Sequence, residues 1–153
     1  MKFLCDQMFG TLANWLRLLG FDTYYANSEI DDDKLLEIAK NEDRVLITRD
    51  KELSFRAKRD NMQVFKPESI HLDEQLVFIL KNVDLNEEMF LSRCSLCNNL
   101  LNEIGKDDVK KMVPEKVFEN NNKFWFCSNC KKVYWKGSHY DKILSRINKI
   151  KKS

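Results

Sequence analysis

The sequence predicts an α/β fold in which helices flank a parallel β-sheet and a small cysteine-rich module follows. Two short apolar runs, Lys2-Phe3-Leu4-Cys5 and Val45-Leu46-Ile47, each lead into a segment that contains an aspartate. Such runs are typical of strands that are buried on both faces of a parallel sheet. Segments with helical apolar spacing separate the runs, and four of the five cysteines lie after residue 93. Alternating strands and helices with short connections indicate a small Rossmann-like layer with right-handed crossovers.

The elements of the predicted sheet can be assigned in chain order. The first strand ends before Asp6, and the helix after it ends at Gly20, a typical C-cap residue. A run of three aspartates, Asp31, Asp32 and Asp33, is an N-cap signal for the second helix. The predicted strands lie at 2–5, 22–26, 44–48 and 62–66, and the helices at 8–20, after the aspartates, at 51–59 and at 72–80.

The charge distribution divides the chain into two parts. Residues 1–83 carry 12 basic and 15 acidic side chains, a net charge of −3, whereas residues 84–153 carry 14 and 9, a net charge of +5. This asymmetry favours different roles for the two parts. We expect an α/β domain at 1–83, a polar linker at 84–93, a cysteine module at 94–140 and a basic helical tail at 141–153.

The compartment is predicted from what the sequence does not contain. No stretch approaches the roughly 18 uninterrupted apolar residues of a membrane span. The N-terminus also lacks a basic segment followed by an apolar one, the pattern of a secretory signal. We therefore expect a cytoplasmic protein that does not bind a membrane.

The cysteines form two C-x₂-C pairs, Cys94-Ser-Leu-Cys97 and Cys127-Ser-Asn-Cys130. Four thiolates in two such pairs match the tetrahedral coordination of structural zinc. An iron site, a disulfide framework and unrelated buried cysteines are the alternatives, although a cytoplasmic setting disfavours disulfides. Because the protein would fill all four positions, the zinc is expected to be structural and not catalytic. Cys5, within the first strand, is expected to be a buried and inert thiol.

Carboxylates follow both apolar strands. Asp6 and Asp50 should meet at the carboxyl edge of the sheet, where open α/β sheets bind ligands. One of Asp31, Asp32 and Asp33 could join them, and three carboxylates there would repel one another without a cation. Mg²⁺ or Mn²⁺ prefers such oxygen ligands, and it can orient water for attack on a phosphodiester. The alternative is that these aspartates only cap helices, where aspartate is favoured anyway.

Several motifs resemble one known family. In the first half they are Phe3-Leu4-Cys5-Asp6, the pattern Gly10-x-Leu12-Ala13-x-Trp15-Leu16-Arg17-x-Leu19-Gly20, and Thr48-Arg49-Asp50. In the second half they are Arg93-Cys94-x₂-Cys97-Asn98, Val113-Pro114, Phe126-Cys127-x₂-Cys130 and Val133-Tyr134-Trp135-x-Gly137-Ser138-His139. Together they resemble the PIN-like ribonuclease family called the Mut-seven C-terminal RNase domain, over about residues 3–140.

The resemblance implies a PIN-like fold, a C-terminal zinc ribbon and metal-binding acids. The acids map onto Asp6, Asp50 and Asp32, because the family's third acid precedes a Leu-Leu pair by three residues. The implied partner is RNA, expected to be single-stranded. The first helix departs from the family: Thr11 and Asn14 replace frequent arginines, although Arg17 is kept. If those arginines hold phosphate, binding here is weaker or comes from other residues.

Two functions remain open at this point. The first is a metal-dependent ribonuclease, in which the acids bind Mg²⁺ or Mn²⁺ and the basic second part holds RNA. The second is a non-catalytic RNA-binding or ribosome-associated adaptor that uses the ribbon alone. An aspartyl phosphatase is excluded, since Met8 stands where a second acid is required. In the ribonuclease reading RNA contacts are expected from Trp125 and Trp135 of the ribbon and from the basic side chains of the tail, which are Lys142, Arg146, Lys149, Lys151 and Lys152. The alternative for the two tryptophans is that they fill the small ribbon core, which is expected of at least one. His139 is expected to be a surface turn residue.

Overall fold

The computed structural model describes residues 1–152. Its strands are β1 Lys2–Cys5, β2 Asp22–Tyr25, β3 Val45–Ile47, β4 Val64–Phe65, β5 Asn102–Ile104, β6 Phe124–Cys127 and β7 Lys132–Tyr134. Its α-helices are α1 Gly10–Leu18, α2 Asp32–Asn41, α3 Lys51–Arg59, α4 Leu72–Leu80, α5 Glu115–Asn120 and α6 Ser138–Lys151. Short 3-10 helices cover Gln7–Phe9, Glu87–Met89 and Lys106–Val109.

The first four strands form one parallel sheet in the order β2-β1-β3-β4. This confirms the predicted α/β class with a parallel sheet and flanking helices. From β1 the chain moves to β2 on one side, whereas from β3 it moves to β4 on the other. The order therefore reverses between β1 and β3, and open α/β sheets bind their ligands at such a switch point.

The sheet is buried on both faces, as its apolar strands require. All three residues of β3 are buried, and Leu46 and Ile47 have no exposed surface. Leu4 and Leu46 pack with residues of α2 and α3 on one face. Phe3 and Ile47 belong to a second cluster on the other face, together with residues of α1, α4 and α6.

Four predicted elements of the first half have different bounds in the structure. The strands expected at 22–26 and 44–48 shorten to Asp22–Tyr25 and Val45–Ile47. The helix expected at 8–20 begins with the 3-10 turn Gln7–Phe9, and α1 then ends at Leu18. Gly20 follows with φ of +94°, which confirms its predicted role after the helix end. A Cβ atom at Gly20 would also lie 2.5 Å from the Met89 carbonyl oxygen, so this position needs glycine for two reasons. The strand expected at 62–66 shortens to Val64–Phe65, because strand ends are the least defined part of a pattern.

The second half forms a three-stranded antiparallel sheet in the order β5-β6-β7. A separate small core of Val109, Phe124 and Val133 supports it. The first cysteine pair lies before β5. The second begins at Cys127, the last residue of β6, and continues into the hairpin turn that leads to β7. No helix in residues 1–152 is both long and apolar enough to cross a membrane.

The segments predicted as a linker and a tail pack against the first half. Phe90 and Leu91 are buried, and the Leu91 amide donates to the Leu18 carbonyl oxygen at the end of α1. Helix α6 begins at Ser138, three residues before the predicted tail, and Ile143 and Ile147 enter the same core cluster as Phe3. The division of the chain into domains remains a prediction, but these contacts join its parts closely.

Candidate active site and cysteine cluster

Asp6 follows β1 and lies at the switch point of the sheet. Only 6% of its surface is exposed. Its Oδ1 atom accepts a hydrogen bond from the Met8 amide at 3.1 Å, and its Oδ2 atom accepts one from the Thr48 hydroxyl at 2.5 Å. Burial raises the pKa of Asp6, and the negative charge of Asp50 raises it further, against the lowering effect of these two hydrogen bonds. The net pKa of Asp6 is raised.

The Thr48 hydroxyl connects the ends of β1 and β3. Thr48 is fully buried, and its Oγ1 atom accepts a hydrogen bond from the Asp50 amide at 3.0 Å while donating to Asp6. Asp50 then caps α3, because its Oδ1 atom accepts from the Leu53 amide at 2.8 Å. One small side chain thus holds both strand-end aspartates beside the switch point.

The three consecutive aspartates have three different environments. Asp31 caps α2, since its Oδ1 atom accepts from the Lys34 amide at 2.8 Å. Asp33 forms an ion pair with Arg56 of α3. Asp32 lines a pocket of about 260 Å³, and the same pocket is lined by Asp6 and Asp50. Of the three, Asp32 is therefore the one that shares a cavity with both strand-end acids.

Helix capping accounts for part of this cluster but not for all of it. Asp6, Asp31 and Asp50 each accept one amide at the start of a helix or turn. Within residues 1–152, however, neither Asp32 nor the Oδ2 atom of Asp50 has a hydrogen-bond partner. The carboxylates do not converge as tightly as the cysteines described next, so an ion there would take ligands from water or substrate as well. Magnesium commonly binds in this way, through one or two carboxylates, phosphate and water.

The four predicted cysteines converge on one point. The sulfur atoms of Cys94, Cys97, Cys127 and Cys130 all lie within 4.8 Å of one another, and no other group of three or more potential ligands does so in the described chain. Tetrahedral Zn–S bonds of about 2.3 Å require sulfur separations of about 3.8 Å. The separation between Cys97 and Cys127 is 3.5 Å. The cluster therefore fits a single zinc ion.

The two cysteine turns share one backbone geometry. In the first, the Asn98 amide donates to the Cys94 carbonyl oxygen at 2.9 Å, and in the second the Lys131 amide donates to the Cys127 carbonyl oxygen at 2.8 Å. Asn98 and Lys131 both have positive φ, 75° and 58°. Burial raises the pKa of Cys97, but hydrogen bonds, first among them that from the Asn99 backbone, lower it to about 7.

A family model described as the Mut7-C RNAse domain matches residues 1–147. The chain belongs to this family. The match spans both the sheet with its aspartates and the cysteine cluster, and it confirms the resemblance carried by the motifs. Membership of the Mut7-C family indicates ribonuclease activity and RNA as the ligand. No curated protein and no solved structure matches the chain significantly.

Arg17, the arginine kept from the family pattern, is not available to phosphate in this Mut7-C chain. Only 7% of its surface is exposed. Its Nη1 atom donates to the carbonyl oxygens of Ser95 and Leu96 at 3.1 and 3.2 Å, within the first cysteine turn. Its Nε atom donates to the Thr23 carbonyl oxygen of β2 at 2.9 Å. Arg17 therefore ties the cysteine turn to the sheet.

Several second-half residues that are expected to contact RNA already have partners within the protein. Trp135 packs against the small core around Phe124, and Trp125 packs against the main core, although both rings stay partly exposed. Arg146 is bonded to Asp73 at 2.6 Å and lies over Trp15, and Lys151 is paired with Glu87 at 3.6 Å. Part of the predicted basic tail is thus engaged within the Mut7-C fold itself.

Three lysines of the cysteine module that sequence reasoning missed are exposed. Lys131, Lys132 and Lys136 lie over aromatic rings at 5.0 to 6.0 Å, and no carboxylate pairs with them in the described residues. We call these three residues the ribbon lysines. Their signal in the sequence is the run Lys131-Lys132-Val133-Tyr134-Trp135-Lys136, in which basic residues surround aromatic ones.

A second cavity of about 250 Å³ lies between the cysteine module and α6. Tyr134, Trp135 and Tyr140 contribute aromatic walls, and Lys132 and His139 contribute polar groups. His139 is exposed at the start of α6 and not in a free turn, because the helix begins one residue before it. The cavity is separate from the aspartate pocket, and it shares no lining residue with it.

Proposed function

We propose that this protein is a divalent-metal-dependent ribonuclease that hydrolyses RNA phosphodiester bonds at the pocket of Asp6, Asp32 and Asp50. The observation that carries the proposal is the position of that pocket. Its three carboxylates border a cavity at the switch point of a parallel sheet, in a chain of an RNase family. Ligands of open α/β sheets bind at this place.

The residues of the pocket have distinct parts in the proposal. Asp32 and the unbonded oxygen of Asp50 would hold Mg²⁺ or Mn²⁺. Asp6 would be the third carboxylate that borders the ion. The ion supplies charge neutralisation for the phosphate and activation of water. Thr48 fixes the orientation of the Asp6 carboxylate, so that Asp6 cannot turn away from the pocket.

Binding of the RNA strand is assigned to the ribbon lysines and the aromatic side chains beside them. Each phosphate contact by a lysine adds affinity that decreases with salt concentration. Partly exposed rings such as Trp125 can stack on unpaired bases, worth on the order of 1–3 kcal/mol each. Single-stranded RNA fits this arrangement best, because its bases are free to stack. The four cysteines would hold one structural zinc ion that keeps this surface folded.

A non-catalytic RNA-binding adaptor is the second candidate. The observation in its favour is that Asp6 and Asp50 both act as N-caps, so their presence has a purely structural explanation. In this reading the ribbon lysines would bind RNA, and the aspartate pocket would have no catalytic role. Cleavage that depends on added metal distinguishes the two candidates.

The test uses labelled single-stranded RNA and DNA with added Mg²⁺ or Mn²⁺. Asp50→Asn and Asp32→Asn should abolish cleavage while leaving RNA binding unchanged or slightly tighter, because a negative charge is lost. Asp33→Asn is the matched control, because its carboxylate lies outside the pocket in an exposed ion pair with Arg56. Cleavage by the wild type that resists both pocket variants, or no cleavage at all, would refute the ribonuclease.

The zinc assignment has its own test. Protein purified without added metal should contain close to one equivalent of zinc per chain, and Cys97→Ser should contain much less. Cys5→Ser is the control, because Cys5 lies in β1 outside the cluster. Iron with visible colour, or wild-type protein with little zinc, would contradict the assignment.

A further inference from the structure

The arginines of this chain fall into two groups by their bonding. Five of the seven are hydrogen-bonded or ion-paired, to carboxylates or to backbone carbonyl oxygens. Arg49 and Arg59 have no hydrogen bond and no ion pair in residues 1–152. The bonded arginines are Arg17, Arg44, Arg56, Arg93 and Arg146.

Arg49 is held in place although its guanidinium is unbonded. It lies between Thr48, whose hydroxyl bridges two strand ends, and Asp50, which caps α3. Its guanidinium carbon lies 5.5 Å from the centroid of the Phe9 ring, and Phe9 is only 1% exposed. A cation–π contact with a fixed ring restricts the guanidinium, and its N–H groups have no hydrogen-bond acceptor in the described residues.

The position of Arg49 relates it to the aspartates. Its positive charge is among the influences that lower the pKa of Asp6, so it lies within electrostatic reach of that carboxylate. It does not line the aspartate pocket. Phe9 packs on the α1 face of the sheet, whereas Leu35 and Leu53 of the pocket pack on the α2 and α3 face. Arg49 and the pocket therefore lie on opposite sides of the switch point.

We propose that Arg49 binds a phosphate of the RNA backbone next to the phosphate that occupies the aspartate pocket. A guanidinium offers a planar fork of donors that matches two phosphate oxygens, and it is weakly hydrated. A strand that crosses the carboxyl edge from the pocket would meet this fork on the other face. The inference rests on the proposed ribonuclease site. It adds a residue that defines the path of the RNA strand from the pocket across the carboxyl edge of the sheet.

The competing explanation for Arg49 is structural: it would only cover Phe9. The two explanations predict different behaviour of a charge-neutral variant. A cover for Phe9 contributes to stability and has no effect on RNA affinity beyond that of any surface cation. A phosphate ligand changes both the affinity and its dependence on salt, by a little under one unit of slope per contact.

Arg59 provides a control of the same residue type. It is exposed in the last turn of α3, the helix that Asp50 begins, and it too is unbonded in the described chain. The test compares Arg49→Gln, Arg49→Lys and Arg59→Gln. Binding of a labelled single-stranded RNA oligonucleotide is measured by anisotropy at several salt concentrations, without added divalent metal, alongside the melting temperature of each variant.

We expect Arg49→Gln to weaken RNA binding by about tenfold, the size of one lost charged hydrogen-bonding contact. Its salt slope should fall by a little under one unit. Arg49→Lys should lie between it and the wild type, since lysine keeps the charge and loses the fork. Arg59→Gln should stay close to the wild type. In cleavage assays, Arg49→Gln should raise KM more than it lowers kcat.

Equal affinity and salt slope for Arg49→Gln and Arg59→Gln would overturn the proposal, as would the absence of RNA binding by the wild type. Its failure is distinguishable from failure of the ribonuclease. If the wild type binds RNA without cleaving it and Arg49→Gln still weakens binding, the phosphate contact stands and the catalytic role of the pocket is refuted. If the wild type cleaves RNA and Arg49→Gln leaves RNA binding unchanged, the ribonuclease stands and the phosphate contact of Arg49 is refuted.

Discussion

At the scale of single residues, Asp22 has the most heavily bonded carboxylate in the structure. Its Oδ1 atom accepts hydrogen bonds from Arg44 at 2.8 Å and from Asn98 at 2.7 Å, and Arg93 lies 3.7 Å from its Oδ2 atom. Burial alone would raise the pKa of Asp22, but the hydrogen bonds from Asn98 and Arg44 and the nearby positive charges lower it overall. The charge on Asp22 therefore stabilises the folded chain.

Asp22→Asn should reduce the free energy of unfolding by about 2 kcal/mol at pH 7, the range for a hydrogen-bonded charged group. Because the folded pKa lies below the unfolded value of about 3.9, the stabilisation is complete above that value and is lost as pH falls through the folded pKa. The difference between wild type and variant in urea unfolding should thus shrink below about pH 4. Asp84→Asn, an exposed position in the linker, serves as the control. A difference that is independent of pH would contradict this account.

Residue patterns predicted the site positions that depend on local sequence. Asp6 and Asp50 could be proposed because each follows an apolar strand, and the four cysteines because their spacing is a metal-ligand pattern. The roles of Thr48 and Arg17 could not be predicted in this way. The Thr48 hydroxyl bonds Asp6 of another strand, and Arg17 bonds a turn that is 78 residues away in sequence, so both roles exist only in the folded chain.

At the scale of elements, α6 is the main difference between the expected and the observed arrangement. Its basic residues predicted an RNA-binding tail, yet its isoleucines enter the main core and Arg146 bonds Asp73 at the start of α4. The signal was present in the sequence, since isoleucines at helical spacing define an apolar face that needs a partner. What the sequence did not contain was the identity of that partner, because the surface of α1 and α4 that receives α6 is assembled from distant segments.

Ile147→Ala should destabilise the whole chain and not only its last turns. Ile147 is 1% exposed in the core cluster that includes Phe3 and Leu12, and truncation of a buried isoleucine to alanine costs about 2–5 kcal/mol. Thermal unfolding followed by circular dichroism should show one transition at a lower temperature. The neighbouring exposed residue provides the control, and Asn148→Ala should leave the transition unchanged. A separate low-temperature transition with an unchanged main one would show that α6 is an independent tail.

At the scale of the whole molecule, the cysteine cluster and the sheet share one core. Cys94, Cys127 and Tyr134 belong to the same buried cluster as the residues of β1 and α1. The Tyr134 hydroxyl also lies 3.1 Å from the Cys94 sulfur, so that cluster extends to the proposed zinc ligands. Metal binding in the second half is therefore expected to stabilise the first half as well.

Removal of zinc by a chelator should lower the melting temperature of the parallel sheet. An ion that binds only the folded state adds about 3 kcal/mol when its concentration is a hundred times its dissociation constant. Zinc added back should restore the original temperature, and magnesium should not, because the cluster offers only sulfur ligands. A chelated protein whose sheet melts at the original temperature would contradict the shared core.

The bonds of Arg17 and Asn98 have a consequence for solubility. Strand β2 is an edge of the parallel sheet, and unpaired backbone groups on an edge can recruit a strand from another molecule. Here the Asn98 side chain accepts from the Thr23 amide at 2.9 Å, and Arg17 donates to the Thr23 carbonyl oxygen, so side chains take the place of a neighbouring strand. The first cysteine turn and Arg17 thus cover the edge of β2 at Thr23. A chain that loses this turn would present β2 to its own copies and become prone to aggregate through strand pairing.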